Sequence, residues 1–521
     1  MRRFLISACV AIVLLPCGAR ASAGVPKGAV RVTFLDVTRN TGEPGAGDTT
    51  DDAYMRRLER HWGQGGIGDA AVVETAEKCV LIDGGLWTKG RAVVLPYLKR
   101  RGVTRLDAVI LTHQHGDHYG GLTEVIEAMP VGEVVTNGLT HTAKAYRKFM
   151  EAVKSSGARY RVVRGGEALD WGEGVTAMVV QAAGGRGIAP DDYNNNSLVL
   201  RMTCGKTAIL FAGDMEDDEE AELLASRRDV RSQVLKAGHH GSSSSSSFPF
   251  LRAVRPEIAV ISVGEGNRFR LPHQSVIDRL ESMGCAVYRT DLDGTVTVTS
   301  DGPRVAVETE RKRPREIAPR KPLKEEFYRL ESEAQGLMRR KEYAGAAACY
   351  RKALAVEPGA ASAYSKLGYC CKKMRREDEA VTAFTAALER EPCDPYANLH
   401  LGLIFLKSDK KRALGYLEKY LDCQPDSRWS RLAEEKAGYI HGSLGWELKK
   451  AGRDDEAIAE FEKSIAISRG NAFSHLQLGL LYPSRDLGRA RKELEKYLEL
   501  EPKGKYAPAA RDALAELEWD R

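Results

Sequence analysis

The stretch Thr112-His113-Gln114-His115-Gly116-Asp117-His118 decides the fold of the first half of this 521-residue chain. It places four metal-ligand side chains within six residues, directly after the apolar run 106–111, which predicts a buried strand. On a turn, His113 and His115 can face one ion while Asp117 and His118 face a second. Imidazole and carboxylate without thiolate suit zinc, and also manganese or iron. The stretch therefore predicts a metal site at the end of a strand.

Three other motifs stand at the ends of predicted strands and carry residues of the same kinds. They are Leu81-Ile82-Asp83-Gly84-Gly85, Phe211-Ala212-Gly213-Asp214 and Lys236-Ala237-Gly238-His239-His240-Gly241-Ser242. Short strands rich in branched residues alternate with helical stretches between residues 30 and 307. This alternation predicts an α/β domain in which two sheets are sandwiched between helices.

The content and order of these motifs resemble the metallo-β-lactamase superfamily, which implies an αββα sandwich and a binuclear metal-dependent hydrolase. The resemblance implies that His113, His115 and Asp214 hold one ion. It implies that Asp117, His118, Asp214 and either His239 or His240 hold the other; the motif leaves that choice open. Asp83 would support a ligand histidine through a hydrogen bond. The implied cofactors are two divalent ions, with zinc favoured and manganese as the alternative.

A narrower resemblance joins the chain to the ComEC-type competence hydrolase domain, over residues 30 to 300. It is carried by the segments 34–37, 63–65, 68–70, 196–200, 239–242, 271–273, 288–291 and 293–295. This resemblance favours a phosphodiester substrate, nucleic acid included. Asp117 would then accept a proton. His273 would donate a hydrogen bond to the phosphate or protonate the leaving oxygen, although a histidine at the start of a helix fits its position nearly as well.

The sequence departs from the superfamily pattern in three places. An insertion over residues 38–62 splits the first motif and is either a lid or a loop. The expected third-motif histidine is replaced by Asn194-Asn195-Asn196, and His141 is a distant substitute. The six serines at 242–247 form either a flexible turn or a row of hydroxyls that face the substrate. Because the chain lacks the membrane channel of competence proteins, DNA uptake does not follow from the resemblance.

The first 23 residues have the pattern of a secretory signal. Arg2 and Arg3 precede an apolar run over residues 4–15, and small residues follow at 19–23. We therefore expect export to the periplasm or the medium, with no transmembrane segment after cleavage. Export permits disulfides, but scattered cysteines without Cys-x-x-Cys pairs favour buried free thiols. The net charge of +6 is too small to predict nucleic-acid binding through bulk charge.

A repeat of about 34 residues occupies the C-terminal part of the chain. Pro358, Pro392 and Pro425 are spaced 34 and 33 residues apart, and alanines recur in step. Leu-Gly and Ala-x-x-x-Phe signatures, as in 366–369 and 380–384, resemble the tetratricopeptide repeat. Five repeats, the fourth longer, predict a superhelix that binds a protein partner.

The whole chain is therefore predicted to contain four segments. They are a signal peptide at 1–23, a hydrolase domain at 28–308, a basic Pro-rich linker at 309–322 and a repeat domain at 323–521. A charged linker predicts few contacts between the two domains. The favoured function is an exported phosphodiesterase or nuclease-like hydrolase. Two alternatives stay open: hydrolysis of a lactam, lactone or thioester, and a repeat scaffold whose hydrolase domain is vestigial.

Overall fold

A computed structural model describes residues 24–38, 66–184, 188–267, 269–312, 325–423, 429–482 and 486–519. The predicted signal peptide, residues 39–62 of the insertion and residues 313–322 of the linker lie outside these ranges. No helix within them is long and apolar enough to cross a membrane.

Two mixed sheets form the first half of the molecule. One has the strand order β15-β14-β1-β2-β3-β4-β5-β6 and the other β13-β12-β11-β10-β9-β8-β7. The strands are Val30–Phe34 (β1), Ala71–Glu74 (β2), Cys79–Ile82 (β3), Leu106–Ile110 (β4), Val131–Thr136 (β5), Arg159–Val162 (β6), Ala168–Asp170 (β7), Val175–Gln181 (β8), Val199–Cys204 (β9), Thr207–Phe211 (β10), Val234–Lys236 (β11), Ile258–Ile261 (β12), Ala286–Arg289 (β13), Val296–Ser300 (β14) and Val305–Thr309 (β15).

Seven helices accompany these strands within the described ranges. They are Leu95–Arg100 (α1, preceded by one π-helical turn), Gly116–Ala128 (α2), Lys144–Ser156 (α3), Asp217–Ala225 (α4), Phe248–Val254 (α5), Gln274–Ser282 (α6) and Thr290–Asp293 (α7). One apolar core lies between the sheets, with Phe34 and Phe211 in contact across it. A second core packs α1, α2 and α3 on the first sheet, and a third packs α4, α5 and α6 on the second. The layers are therefore αββα, as predicted.

Paired helices make up the second half of the molecule. They are Glu325–Arg339 (α8), Tyr343–Val356 (α9), Ala361–Lys373 (α10), Glu377–Arg390 (α11), Pro395–Phe405 (α12), Lys410–Cys423 (α13), Ser430–Lys450 (α14), Asp454–Ile467 (α15), Ala472–Leu481 (α16), Leu487–Leu500 (α17) and Ala507–Trp519 (α18). The first ten helices form five antiparallel pairs, and α14 is the longest at 21 residues. This matches the five predicted repeats and the longer fourth one.

Glycine lets the two helices of a pair approach closely. A Cβ on Gly368 would press on the ring of Phe384, and one on Gly445 would press on the ring of Phe461. The glycine of the Leu-Gly signature and the phenylalanine of the Ala-x-x-x-Phe signature therefore contact each other. The residues of the repeat signature are therefore those that pack the two helices of a pair together.

The two halves of the molecule touch, and the prediction of few contacts between them is wrong. The ring of Phe248 on α5 stacks on Tyr328 of α8 with centroids 3.8 Å apart. Lys366 of α10 pairs with Asp217 of α4 at 3.3 Å. Phe248 belongs to the apolar core of the repeats. The linker composition gave no sign of this, because it does not indicate which surfaces the helices after it cover.

The preference for free thiols is wrong for two of the cysteines. Cys393 and Cys423 form a disulfide that joins the start of α12 to the end of α13. Six others, Cys79, Cys204, Cys285, Cys349, Cys370 and Cys371, are free and buried as predicted. The pairing could not be read from the sequence, since it depends on two helix ends that meet only in the folded repeat.

Candidate metal centre

The predicted ligand motifs meet at one end of the two sheets. Asp83 follows β3, the His113 to His118 stretch follows β4, Asp214 follows β10, and the histidine pair follows β11. Strands β3 and β4 are parallel in one sheet, and β10, β11 and β12 are parallel in the other. Because the carboxyl ends of parallel strands share an edge, the loops after them converge.

Helix α2 carries two of these residues, Asp117 and His118, into the site. The backbone N–H of Gly84 donates to the carbonyl oxygen of His118 at 2.8 Å. A Cβ on Gly121 would collide with the carbonyl oxygen of Gly84. The glycines therefore let α2 lie directly on the loop after β3, which sets His118 beside Asp83.

Four side chains form a tight buried group, namely Asp117, His118, Asp214 and His240, with one ligand atom of each within 4.8 Å of the others. His240 Nε2 lies 3.2 Å from Asp117 Oδ2 and 3.3 Å from Asp214 Oδ2. His118 Nε2 lies 3.3 Å from Asp214 Oδ2. The group contains carboxylate and imidazole donors alone, which suits a divalent transition metal.

The other nitrogen of each of these histidines has a fixed partner. His118 Nδ1 lies 2.8 Å from Asp83 Oδ2, which also accepts a hydrogen bond from the Thr112 hydroxyl. His240 Nδ1 lies 2.9 Å from the carbonyl oxygen of Ser262. A carbonyl oxygen can only accept, so His240 donates from Nδ1, which leaves Nε2 as the nitrogen that would bind a cation once its proton is displaced. Asp83 holds His118 in the same tautomer, as the sequence predicted.

Two atoms of the group are left without a partner in the protein and could bind an ion. His118 Nε2 and Asp214 Oδ1 are buried and have no hydrogen-bond partner among the described residues. A buried polar atom without a partner costs about 1–3 kcal/mol, which a coordinated ion would offset. The donor set therefore fits a metal ion.

The charges of the group are strongly coupled. Burial raises the pKa of Asp214, but the opposing attraction of His240 and His118 is larger and holds that pKa well below its ordinary value. Burial lowers the pKa of His118 and of His240, but the carboxylates around them raise both well above the ordinary value. Without metal, the two imidazoles therefore hold protons that a cation would replace.

His113 and His115 lie beside this group and form a second pair. His113 Nε2 is 3.0 Å from His115 Nδ1 and 3.8 Å from Asp214 Oδ2. Burial lowers the pKa of His113 well below its ordinary value and that of His115 to about 4. Both rings are therefore neutral at pH 7, which is the form that binds metal.

The two candidate histidines after β11 occupy different surroundings. His240 is in the four-residue group, whereas His239 Nδ1 lies 2.9 Å from Glu216 Oε1. Both residues have left-handed backbone angles, with φ of 42° at His239 and 51° at His240. Non-glycine residues in this region cost about 1–3 kcal/mol each and cluster at functional sites. The turn separates the two rings and aims only one at the carboxylates.

His273 lies outside the four-residue group. It stands at the start of α6, where its Nδ1 accepts a hydrogen bond from the Ser243 N–H at 2.8 Å. Its Nε2 is buried without a hydrogen-bond partner among the described residues. Burial lowers its pKa to about 4. His273 is therefore neutral at pH 7 and carries its proton on Nε2.

Two features by which the sequence departs from the superfamily pattern, His141 and the serine run, have defined hydrogen bonds in the structure. His141 accepts a hydrogen bond from the Ala143 N–H and packs on Tyr193, whose ring lies between it and His115 as a neighbour of both. The serine run is not a loose turn, because Glu220 accepts from the N–H groups of Ser246 and Ser247. Its Ser245 hydroxyl donates to Gly238.

Sequence reasoning assigned no role to several residues around the site. Asp69 pairs with Lys236 at 2.7 Å and lies 3.4 Å from His240 Nδ1. Glu216 holds His239. Asp69 lies in the segment 68–70 of the competence-type resemblance, and Lys236 is the last residue of the strand before the histidine turn. Their positions in the sequence therefore indicated that both lie near the site. Their pairing, across more than 160 residues, had no signal in the sequence.

Comparison with known proteins agrees with this geometry. Residues 63–265 match the family model described as the metallo-beta-lactamase superfamily. This region is a metallo-β-lactamase domain. Tetratricopeptide repeat models match residues 332–371, 372–428 and 439–471. Both predicted family resemblances are confirmed, and the fold class with them.

Curated relatives of the metallo-β-lactamase domain include competence proteins and a nuclease. ComE operon protein 3 of Bacillus subtilis is 32% identical over 208 residues, which are 40% of this chain and 26% of that protein. Competence protein ComA of Neisseria gonorrhoeae is 34% identical over 232 residues, 44% of this chain and 30% of that protein. Exodeoxyribonuclease WalJ of Streptococcus pneumoniae is 25% identical over 182 residues, 34% of this chain and 64% of that protein. The chain spans less than a third of the two competence proteins.

The repeats also resemble solved structures. One, described as YrrB, a TPR protein with an unusual peptide-binding site, is 24% identical and has a TM-score of 0.27. That alignment covers 35% of this chain and 90% of YrrB.

Proposed function

We propose that the protein is an exported, binuclear, metal-dependent phosphodiesterase that acts on nucleic acid or a related phosphodiester. The observation that carries the proposal is the arrangement of His118 and His240. Each is anchored through Nδ1, and each turns Nε2 toward the carboxylates of Asp117 and Asp214. This buried and complete donor set argues against a vestigial site.

Six of the seven predicted ligand side chains would hold the two ions. Asp117, His118, Asp214 and His240 would hold one ion, and His113, His115 and Asp214 the other. His239 is left out because its ring faces Glu216. Asp214 would bridge, since it lies between the two sets of histidines.

When bound, such an ion pair neutralises phosphate charge and makes water a stronger nucleophile at neutral pH. Asp117 would accept a proton, for which it must be ionised. Burial raises that pKa, but His118 and His240 outweigh burial, so the carboxylate is ionised at pH 7. His273 would donate a hydrogen bond from Nε2 to a phosphate oxygen. As a neutral ring it is a poor acid at pH 7, so we favour this role over protonation of the leaving oxygen.

The relatives support the substrate class. The matched proteins carry names of competence proteins and of an exodeoxyribonuclease, and the match falls on the metal-binding domain. Export has two supports: the apolar N-terminal pattern of the sequence and the Cys393–Cys423 disulfide, since stable disulfides are typical of oxidising compartments. The repeats support a protein partner. Exposed aromatic side chains on α14, Tyr439 and Trp446, are candidates for that contact.

A substrate screen tests the proposal. Zinc- or manganese-loaded protein would be assayed against bis-p-nitrophenyl phosphate, single-stranded DNA, RNA, cyclic dinucleotides and the lactam nitrocefin. We expect turnover of phosphodiesters and none of nitrocefin, and we expect Asp214→Ala to lose the phosphodiester turnover. Lactam turnover without phosphodiester turnover would favour the alternative hydrolase.

A further inference from the structure

A cleft of about 350 Å³ lies between the metallo-β-lactamase domain and the first repeats. One wall is formed by the start of α4 and the serine loop, with Glu216, Asp217 and Ser244. The other wall is formed by the helices α8 to α13. The repeats therefore do not only follow the domain along the chain; their inner face closes a cavity against it.

The repeat wall is rich in aromatic rings. Tyr343, Tyr369 and Tyr396 belong to α9, α10 and α12, and the centroid of Tyr369 lies 6.3 Å from that of Tyr343 and 6.2 Å from that of Tyr396. His400 lies 5.2 Å from Tyr369. The rings form a continuous row across successive repeats. Such a row is a surface on which unpaired bases can stack, because every base has a π-face.

The same wall carries positive charge. Arg339 and Lys373 line the cleft, are exposed, and have no carboxylate partner among the residues that the structure describes. Lys373 Nζ lies over the Tyr369 ring, 5.2 Å from its centroid. Two of the three acids that line the opposite wall are paired, Asp217 with Lys366 and Glu216 with His239, and the third, Asp218, is exposed. A polyanion would therefore lie along the repeat wall.

Side-chain contacts connect the domain wall of the cleft to the metal centre. The Ser244 hydroxyl, which lines it, donates to Glu216 Oε1 at 3.0 Å. Glu216 in turn lies 2.9 Å from His239, which precedes the ligand His240. The cleft wall at Ser244 is thus separated from His239 by a single side chain, that of Glu216.

We propose that this cleft binds a single-stranded nucleic acid and that its aromatic row, with Arg339 and Lys373, forms the substrate-binding surface of the enzyme. This rests on the proposed phosphodiesterase function and adds that the first three repeats read the substrate. Stacking platforms beside unpaired cations suit a strand with bases and phosphates. A protein partner is left to the repeats beyond the cleft.

The test uses the full chain and a fluorescein-labelled oligothymidylate, with chelator present so that binding is measured without cleavage. Tyr369→Ala should weaken binding at least about fivefold, because it removes a stacking ring. Lys373→Ala should reduce the slope of log K against log salt by about 0.7, because it removes a phosphate contact on a single strand. Tyr369→Phe, which keeps the ring, should bind like the wild type.

Matched controls lie outside the cleft. Tyr506→Ala removes an exposed ring directly before α18, and Lys352→Ala removes an exposed charge on α9. Both should leave the affinity and the salt slope unchanged. If Tyr369→Ala and Lys373→Ala bind the oligonucleotide like the controls, or if the wild type binds none, the proposal is overturned. An affinity for peptides alone would overturn it as well.

Turnover of bis-p-nitrophenyl phosphate separates this proposal from the function on which it rests. If the wild type hydrolyses that small substrate but the Tyr369 and Lys373 variants bind the oligonucleotide like the wild type, the cleft proposal is overturned and the phosphodiesterase proposal stands. Tyr369- and Lys373-dependent binding without any phosphodiester turnover supports the cleft and rejects the phosphodiesterase.

Discussion

Glu391, directly after helix α11, lies with its Oε1 3.3 Å from Nδ1 of His273 in the metallo-β-lactamase domain. The residue that we place near the substrate phosphate thus touches the repeats. Next to it, Arg279 of α6 donates to the carbonyl oxygen of Ser245 in the serine loop. The junction between the two halves therefore supports the loop that follows the histidine turn.

The first prediction separates the two adjacent histidines. His240→Ala should lose metal and activity, because it removes an imidazole from the four-residue group. His239→Ala should retain the metal, because that ring faces Glu216. Elemental analysis of the two purified variants checks this. Equal metal loss in both would mean that the turn presents both rings to the ion.

The second prediction concerns the partner of His118. Asp83→Asn should lower metal affinity about 10- to 100-fold while the fold persists, because the carboxylate orients the ring through Nδ1. Asp229→Asn, at an exposed acid paired with Arg201, is the control with the same change in charge. Competition with a chromogenic chelator measures both. Unchanged metal affinity in Asp83→Asn would show that Asp83 does not orient His118 for the metal.

The third prediction concerns the disulfide in the third repeat. Cys393→Ser with Cys423→Ser should lower the free energy of unfolding of the repeats by about 2–4 kcal/mol, because the link closes a loop with a sequence separation of 30 residues. Thermal unfolding with and without reductant checks it. Reductant should lower the Tm of the wild type and leave the double variant unchanged. A wild type that is insensitive to a reductant shown to open the bond contradicts this.

The fourth prediction concerns pH and the junction between the halves. Burial and, to a smaller extent, the charge of Asp394 raise the pKa of Glu391 to about 8, against the opposing charge of Arg279. His273, which faces it, is neutral throughout this range because burial lowers its pKa to about 4. A carboxyl whose pKa is raised on folding stabilises the fold fully below its unfolded pKa, and this contribution is lost as pH rises through about 8.

Glu391→Gln removes that titration. The Tm of the wild type should therefore fall more steeply between pH 5 and pH 9 than the Tm of Glu391→Gln. Differential scanning calorimetry over that range gives the comparison, and Glu389→Gln, beside it on α11 and exposed, is the control. Parallel Tm curves for the wild type and Glu391→Gln would show that Glu391 is ionised in the folded protein.

The metal site could be predicted because it is local in sequence. Each ligand motif follows a strand of branched residues, so the pattern gave both the chemistry and the edge of the sheet. The choice between His239 and His240 could not be predicted. It depends on two successive left-handed residues, and both histidines follow the same strand at nearly the same distance.

Strand β6 lacks the apolar pattern by which buried strands are recognised in the sequence. In β6 the burial pattern is mostly exposed, and Tyr160 and Val162 face solvent. The contact between Phe248 and Tyr328 had no signal either, since a repeat pattern reports the packing of helices on one another and not what their inner face covers.

The central claim is that these residues hold a metal pair that hydrolyses phosphodiesters. The most direct test strips the full chain with chelator, adds back zinc or manganese in steps, and follows bis-p-nitrophenyl phosphate turnover beside bound metal. We predict no turnover without metal and a maximum as two ions bind per chain. Asp214→Asn, with a circular dichroism spectrum like that of the wild type, should show no turnover at any metal level. Turnover by the stripped protein, or full activity of Asp214→Asn, would contradict the account.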